Sequence, residues 1–107
     1  MPTMNRINFF LPVWPSQETL ENHLVPIFRQ HDISGFTATG TKFFMGGELP
    51  LGMIFTALVP FYRDALLPHN VALDLAEALN LQFVTYTVEP VTADTVVRAT
   101  VEVPNHG

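Results

Sequence analysis

Apolar and polar residues alternate along five segments of the chain, which is the pattern of strands in a sheet. In the first segment Ile7, Phe9 and Leu11 share one face, which predicts a strand over 6–13. Threonine, valine and aromatic residues, which favour strands, are frequent in the other four segments. Their predicted bounds are 35–45, 53–61, 82–91 and 95–103. We expect the second and third strands to pair as a hairpin.

Two further segments follow a helical repeat. Ser16 is a good N-cap, and apolar residues recur at helical spacing over 17–31. Pro26 lies inside this helix and predicts a kink or break at the residue before it, because proline removes a hydrogen bond and crowds the preceding turn. The second helix is predicted to begin at Pro68 and to end at Asn80 in a left-handed conformation.

The order of the elements is strand–helix–strand–strand–helix–strand, followed by one more strand. This order predicts a ferredoxin-like α+β sandwich, in which an antiparallel sheet carries both helices on one face. The chain has 107 residues, of which 48% are hydrophobic. That is enough for one buried core, and we predict a single domain over 1–107.

The second face of the sheet is also expected to be apolar. Phe10 and Trp14 are predicted to oppose the buried row of the first strand, and Ile54 and Leu58 the buried row of the third. Two helices cover only one face, so this apolar surface requires a cover. We expect a second copy of the chain to supply it, which predicts a homo-oligomer. The alternative is that the fifth strand or a terminus folds over it.

Charge and composition exclude several classes of function. Five Lys and Arg against ten Asp and Glu give a net charge of −5, which argues against nucleic acid as a partner. The absence of cysteine excludes disulfides and thiolate metal sites. The first residues lack the pattern of a signal peptide, and the longest uncharged run, 49–62, is short and interrupted by proline and glycine. We therefore expect a cytoplasmic protein with no membrane partner.

Two groups of residues are candidate ligand contacts. Arg63 and His69 lie near the predicted start of the second helix, where free backbone N–H groups bind small anions; a capped helix start is the alternative. The second group surrounds the loop between the second and third strands, where glycine allows a ligand to approach the backbone; a plain hairpin turn is the alternative. Its residues are Lys42, Gly46, Gly47 and Glu48.

The sequence contains no recognisable catalytic or metal-binding arrangement. His23 and His31 are too far apart to be a metal pair on one turn of a helix, and His31 is expected to cap the helix or to be half-buried. We interpret Asp64 as a turn residue and Asp74 as an exposed helix residue. We therefore predict no metal site and favour binding over catalysis, and the sequence indicates no particular cofactor.

The segment 33–47 resembles the second strand of the PII family of signalling proteins. It reads ISGFTATGTKFFMGG: a glycine, a bulky apolar residue and threonine after a helix, then alternation to a basic residue and a glycine-containing loop. The order of elements also fits over 6–103. The resemblance implies a homotrimer with its sheets packed inward, and a small molecule or nucleotide bound between subunits near Gly35, Thr37 and Thr39. It also implies that the loop at 46–52 contacts a protein target.

The site that this resemblance implies is altered. The loop is short and has no tyrosine, 80–82 leads directly into a strand where the family has a glycine-rich phosphate loop, and the basic residues that hold a triphosphate are missing. Two other functions remain open. One is a dimeric α+β barrel enzyme, resembling cofactor-free or haem-type monooxygenases and acting on a small apolar substrate, with Asn8, Trp14 and His69 as the residues to test. The other is an assembly protein without a ligand.

Overall fold

A four-stranded antiparallel sheet organises the fold. The computed structural model of the chain describes residues 3–42, 47, 51–60, 62, 64–94, 96 and 98. The strands are β1 (Thr3–Leu11), β2 (Thr37–Lys42), β3 (Leu51–Val59) and β4 (Thr85–Thr92). They lie in the order β2-β3-β1-β4, and each strand is antiparallel to its neighbours. The ferredoxin-like α+β fold and the β2–β3 hairpin are therefore confirmed.

One face of the sheet forms the hydrophobic core with the helices. In the register between the two central strands, Phe9 stands opposite Phe55 and Leu11 opposite Met53, and all four side chains are buried. Alternation along the strands then places the intervening side chains on the other face. The helices contribute buried apolar residues to the same core: Leu24, Phe28, Leu67, Val71, Ala72 and Leu75.

A π turn interrupts the first helix next to Pro26. Segment α1 (Gln17–Thr19) is capped by Ser16, whose hydroxyl accepts a hydrogen bond from the Thr19 N–H at 3.2 Å. A π-helical segment, Leu20–Leu24, follows, and α2 (Val25–Gln30) completes the helix. The Val25 N–H donates to the Leu20 carbonyl, five residues earlier. The wider turn accommodates a proline, which has no N–H to donate, so the predicted irregularity occurs without ending the helix.

The second helix, α3 (Leu67–Ala78), has Pro68 in its first turn, as the sequence predicts. Asp64 forms the turn before it, since its side-chain Oδ1 accepts a hydrogen bond from the Leu66 N–H at 2.9 Å. Asn80 follows the helix with a φ of 52°, which confirms the predicted left-handed end.

A polar contact joins the two helices. His31, the half-buried C-cap of α2, places its Nε2 at 2.7 Å from Oδ2 of Asp74 on α3. The side chains are 18% and 37% exposed. The prediction of a capping, half-buried histidine is confirmed. The interpretation of Asp74 as a merely solvated residue is wrong, because its partner lies on a helix 43 residues away in sequence.

The second face of the sheet is apolar only in part. Phe10 stands opposite Ile54, and Leu58 is 50% exposed, as expected. Between these positions, however, runs a row of polar side chains across all four strands. We call it the polar row: Thr37, Thr56, Asn8 and Thr87.

Asn8 connects the polar row at its centre. Its Nδ2 donates a hydrogen bond to Oγ1 of Thr87 at 3.2 Å, and its Oδ1 accepts one from Oγ1 of Thr56 at 2.8 Å. One side chain thus links β3, β1 and β4. The neighbouring row carries the Arg6–Glu89 ion pair, with Nε and Oε1 2.8 Å apart. The prediction of an apolar second face therefore missed its polar middle.

Trp14 does not lie on this second face, contrary to prediction. A Cβ atom added to Gly40 would overlap the six-membered ring of Trp14. Gly40 faces the helices, since it stands opposite the buried Met53. The alternation that holds along β1 ends with the strand at Leu11, so it cannot be extended to residue 14. Gly40 is thus a position where the backbone of β2 and the Trp14 ring approach each other closely.

Parts of the predicted structure lie outside the described residues. The fifth strand, 95–103, is one of them; Val96 and Arg98, the two of its residues that are described, are exposed and form no strand. The predicted end of the second strand, 43–45, is another. Among the helices of the described ranges, none has the length and apolar character needed to cross a membrane.

Candidate functional site

A groove lies beside Gly35, between the first helix and the edge of the sheet. Its volume is about 340 Å³. Apolar side chains form most of its lining, and Arg29, Ser34 and Gly35 complete it. The apolar members are Leu20, Val25, Phe28, Ile33, Phe36 and Ala38.

Aromatic packing holds the wall of this groove in place. Phe36 stacks on Phe28 with ring centroids 4.3 Å apart and planes 27° apart. Phe28 in turn meets Phe9 and Phe55 edge-on, each at 5.8 Å. Offset-stacked and edge-to-face rings are the favourable arrangements of aromatic pairs. The groove is therefore built directly on the hydrophobic core.

The end of the first helix sets the position of Gly35. Asp32 takes a φ of 60°, the Asp32 N–H donates to the Arg29 carbonyl at 3.1 Å, and the Ile33 N–H donates to the Phe28 carbonyl at 2.9 Å. These bonds form a Schellman motif, with the buried Ile33 packed near the last turn. The chain then passes through Gly35 into β2 along the groove. A Cβ atom on Gly35 would meet nothing within 4 Å, so the space beside it is open.

Arg29 gives the groove a positive charge. It is exposed, and no carboxylate among the described residues lies within ion-pair distance of it. Sequence reasoning missed Arg29 as a site residue. Its position in the sequence could have pointed to it, because Arg29 directly follows the buried Phe28 and shortly precedes the segment that begins at Ile33.

The structure separates the ligand residues that the sequence predicts along β2. Gly35 lines the groove, whereas Thr37 and Thr39 stand opposite Thr56 and Ile54 and so face the other side of the sheet. Lys42 ends β2. The remaining candidates in this part of the chain are the turn residue Gly47, with a φ of 82°, and Gly46 and Glu48, which lie outside the described residues.

His69 lies at the opposite edge of the sheet. Its ring meets Tyr86 of β4 at 6.3 Å with planes 75° apart, in a mostly apolar groove of about 190 Å³ between α3 and β4. Strands β2 and β4 are three strand spacings apart, or about 14 Å. Arg63, the other candidate at this helix, is outside the described residues, and Asp64 already binds a backbone N–H there. The N-cap residue of α3, Leu66, makes no side-chain capping hydrogen bond, and the anion site at this helix start stays a prediction.

The three residues proposed for a barrel enzyme do not meet in one chain. Asn8 lies on the second face, Trp14 lies over the helix side of β2, and His69 lies beside β4. His23 and Glu77 line a separate crevice of about 380 Å³ between the helices, near Asp74. Across the part of the chain that the structure describes, no three histidine or carboxylate side chains are grouped so as to hold a metal ion.

Known proteins resemble this chain in structure but not in sequence. No profile of a known protein family matches it, and no characterised protein is similar to it in sequence. A solved DUF3240 family protein from Shewanella baltica OS155 superposes with a TM-score of 0.61 at 15% identity, over 92% of this chain and 100% of that one.

A second similar structure is that of CPII, a nitrogen regulatory PII-like protein from Thiomonas intermedia K12, bound to ADP, AMP and bicarbonate. It has a TM-score of 0.58 and 9% identity, over 89% of this chain and 97% of that one. The apo form of CPII gives a TM-score of 0.50 at 14% identity, over 83% and 89%. At sequence identities this low, structural similarity shows a shared fold and nothing more. The resemblance seen in 33–47 is thereby supported over most of the chain, which has the fold of the PII-like nitrogen regulatory proteins.

Proposed function

We propose that this chain is a small regulatory protein that binds a small molecule or nucleotide in the groove beside Gly35. The observation that carries the proposal is the groove itself, which lies on the segment whose sequence resembles the PII family. Its size is at the lower end of ligand pockets, and its lining is apolar with few polar groups, as such pockets are. The presence of ADP, AMP and bicarbonate on CPII supports a ligand on this fold. Arg29 supplies one charge for an anionic group.

We further propose that the protein works as a homo-oligomer assembled through the second face of the sheet, with three copies as the resemblance implies. Phe10, Ile54 and Leu58 provide apolar contacts there. Asn8 makes its hydrogen bonds within the chain, which lowers the cost of burying the polar row. The groove lies on the helix side of the sheet, beside Ala38 of β2. The loop at 46–52 is proposed to contact a protein target.

Thermal unfolding in the presence of ADP, AMP or bicarbonate tests the ligand site. A ligand at 100 times its dissociation constant stabilises a protein by about 2.7 kcal/mol, which corresponds to roughly 10 °C for a domain of this size. Gly35→Val adds an isopropyl group at the lining of the groove, where a Cβ meets no atom within 4 Å, so we expect the fold to be retained and ligand binding to be hindered. We expect a shift for the parent and none for this variant.

Ala65→Val, at an exposed turn residue, is the matched control and should keep the shift. If no probe stabilises the parent protein, ligand binding is contradicted and the assembly protein is the better description. If Gly35→Val responds like the parent, the ligand binds elsewhere than in the groove.

Light scattering after size exclusion tests the assembly. We expect the mass of three copies for the parent and a smaller species for Leu58→Glu, which puts a charge on the second face. Leu73→Glu is the control, because Leu73 is similarly exposed, at 51% against 50%, but lies on α3. A monomeric parent would contradict the oligomer, and a dimer would contradict the trimer.

A further inference from the structure

Strand β2 lies at one edge of the described sheet. It pairs with β3 on one side, and no described residue pairs with its other side. Its register with β3 is continuous from Thr37 to Lys42, without a bulge or a proline. The opposite edge of the sheet, β4, contains Glu89 and Pro90, a charge and a residue without an N–H, which are the features that discourage strand addition. The edge of β2 carries no such protection before Lys42.

The helix side of β2 offers two contacts at the spacing of an added strand. Ala38 lines the groove, and Gly40, two residues further on, lies under the ring of Trp14. Alternate side chains of a strand are about 6.7 Å apart. A strand that pairs with β2 therefore places one side chain over the groove. The side chain two residues along that strand, on the same face, contacts Trp14. The first can be large and apolar, while the second must be small.

The charges around this edge select the partner. Lys42 ends the strand and Arg29 lines the groove, and neither has an acidic partner among the described residues. The chain as a whole has a net charge of −5. Two cations without an acidic partner among the described residues, beside this edge of an acidic protein, favour a negatively charged segment.

We propose that the edge of β2 binds an extended acidic segment of a partner protein as an added strand, with one apolar side chain of that segment in the groove. Backbone hydrogen bonds to β2 supply affinity and the groove supplies specificity, as in other cases of strand addition. The inference extends the proposed function by naming a partner. Because both occupants use the same groove, the partner segment and the small molecule compete. Binding of the segment requires no small molecule.

The test uses the full chain and the acetylated, amidated peptide Glu-Thr-Leu-Thr-Ala-Glu. Trp14 is the one tryptophan of the sequence and is 56% exposed, so its emission moves to the blue when a strand covers it. We expect this change to saturate, and amide exchange to slow over 37–42 but not over 85–92. Arg29→Gln and Lys42→Gln should each weaken binding by about two- to fivefold, the effect of one surface charge pair. Arg98→Gln, at another exposed arginine, should not.

Several results would overturn the proposal. One is the absence of any change with the peptide at about 1 mM, which still detects weak binding. Another is equal binding of a peptide with lysine in place of glutamate. A third is slow amide exchange over 37–42 in the peptide-free protein that becomes fast when the protein is diluted. That result would show that a second copy of the chain covers the edge. The thermal shifts of the parent and of Gly35→Val are measured in a separate experiment. Failure of the peptide to bind therefore does not contradict the small-molecule site, and absence of a thermal shift does not contradict peptide binding.

Discussion

Phe28 supports both the hydrophobic core and the groove, which makes it the most informative position for substitution. It is 1% exposed. Its ring meets Phe9 and Phe55 edge-on at 5.8 Å and stacks on Phe36 at 4.3 Å. Phe28→Ala removes the ring that joins the first helix to the two central strands, and it leaves a cavity that three aromatic neighbours cannot fill without moving.

The expected cost follows from this geometry. Replacing a buried phenylalanine by alanine costs about 3–5 kcal/mol, because transfer energy is lost and a cavity remains. A domain of this kind has a total stability of about 5–15 kcal/mol, so the variant loses a large fraction of it. At roughly 4 °C for each kcal/mol, the melting temperature falls by at least about 12 °C. Phe28→Leu leaves a smaller cavity and should cost less than Phe28→Ala, although it also loses the three ring contacts.

Urea unfolding followed by circular dichroism measures these differences. Leu73→Ala is the control: Leu73 is 51% exposed on α3, and the change should stay within about 0.5 kcal/mol. If Phe28→Ala costs no more than this control, Phe28 does not hold the first helix to the sheet, and the wall of the groove is not built as described.

Three further predictions concern other contacts. Gly40→Ala must displace the Trp14 ring, so tryptophan emission should shift to the red while the far-ultraviolet spectrum is unchanged; an unchanged emission maximum would refute the contact. The hydrogen bond that the Arg6 guanidinium donates to Glu89 lowers the pKa of that carboxyl below its ordinary value of 4.5. The pair thus stabilises the fold above that pH and loses its effect as the pH falls below it, and urea titrations of Glu89→Gln should differ slightly from the parent at pH 7 but not in strong acid. For His31→Ala and Asp74→Ala, a double-mutant cycle should give a coupling energy of at least about 0.5 kcal/mol; additive effects would contradict a direct contact.

The fold was predictable from the sequence because its determinants are local. Alternation of apolar residues marks β1 and β3, Ser16 and Asn80 mark helix ends, and Pro26 marks the irregular turn of the first helix. Each of these signals depends on a few neighbouring residues and on backbone chemistry. The prediction for Trp14 was wrong because it extended the alternation of a strand beyond the residue where that strand ends.

The polar row and the groove were not predictable in this way. Asn8, Thr56 and Thr87 become neighbours through the strand order, which places β1 between two strands that are distant in sequence. The groove likewise combines Arg29 with Ala38 across the end of a helix and the start of a strand. Pairwise spacing along the chain contains no information about either juxtaposition.

The likeness in fold to the PII-like proteins at 9–14% identity has a physical meaning. A core of this kind requires apolar residues at alternating positions and tolerates many substitutions among them, so the fold persists after most side chains have changed. A ligand site depends instead on a few particular groups, which the fold does not determine. At the site proposed for this chain, those groups are Arg29, the open space at Gly35 and the stacked ring of Phe36. Evidence for function must therefore come from substitutions at these three positions, because a change that leaves the fold intact and removes binding separates the site from the scaffold that carries it.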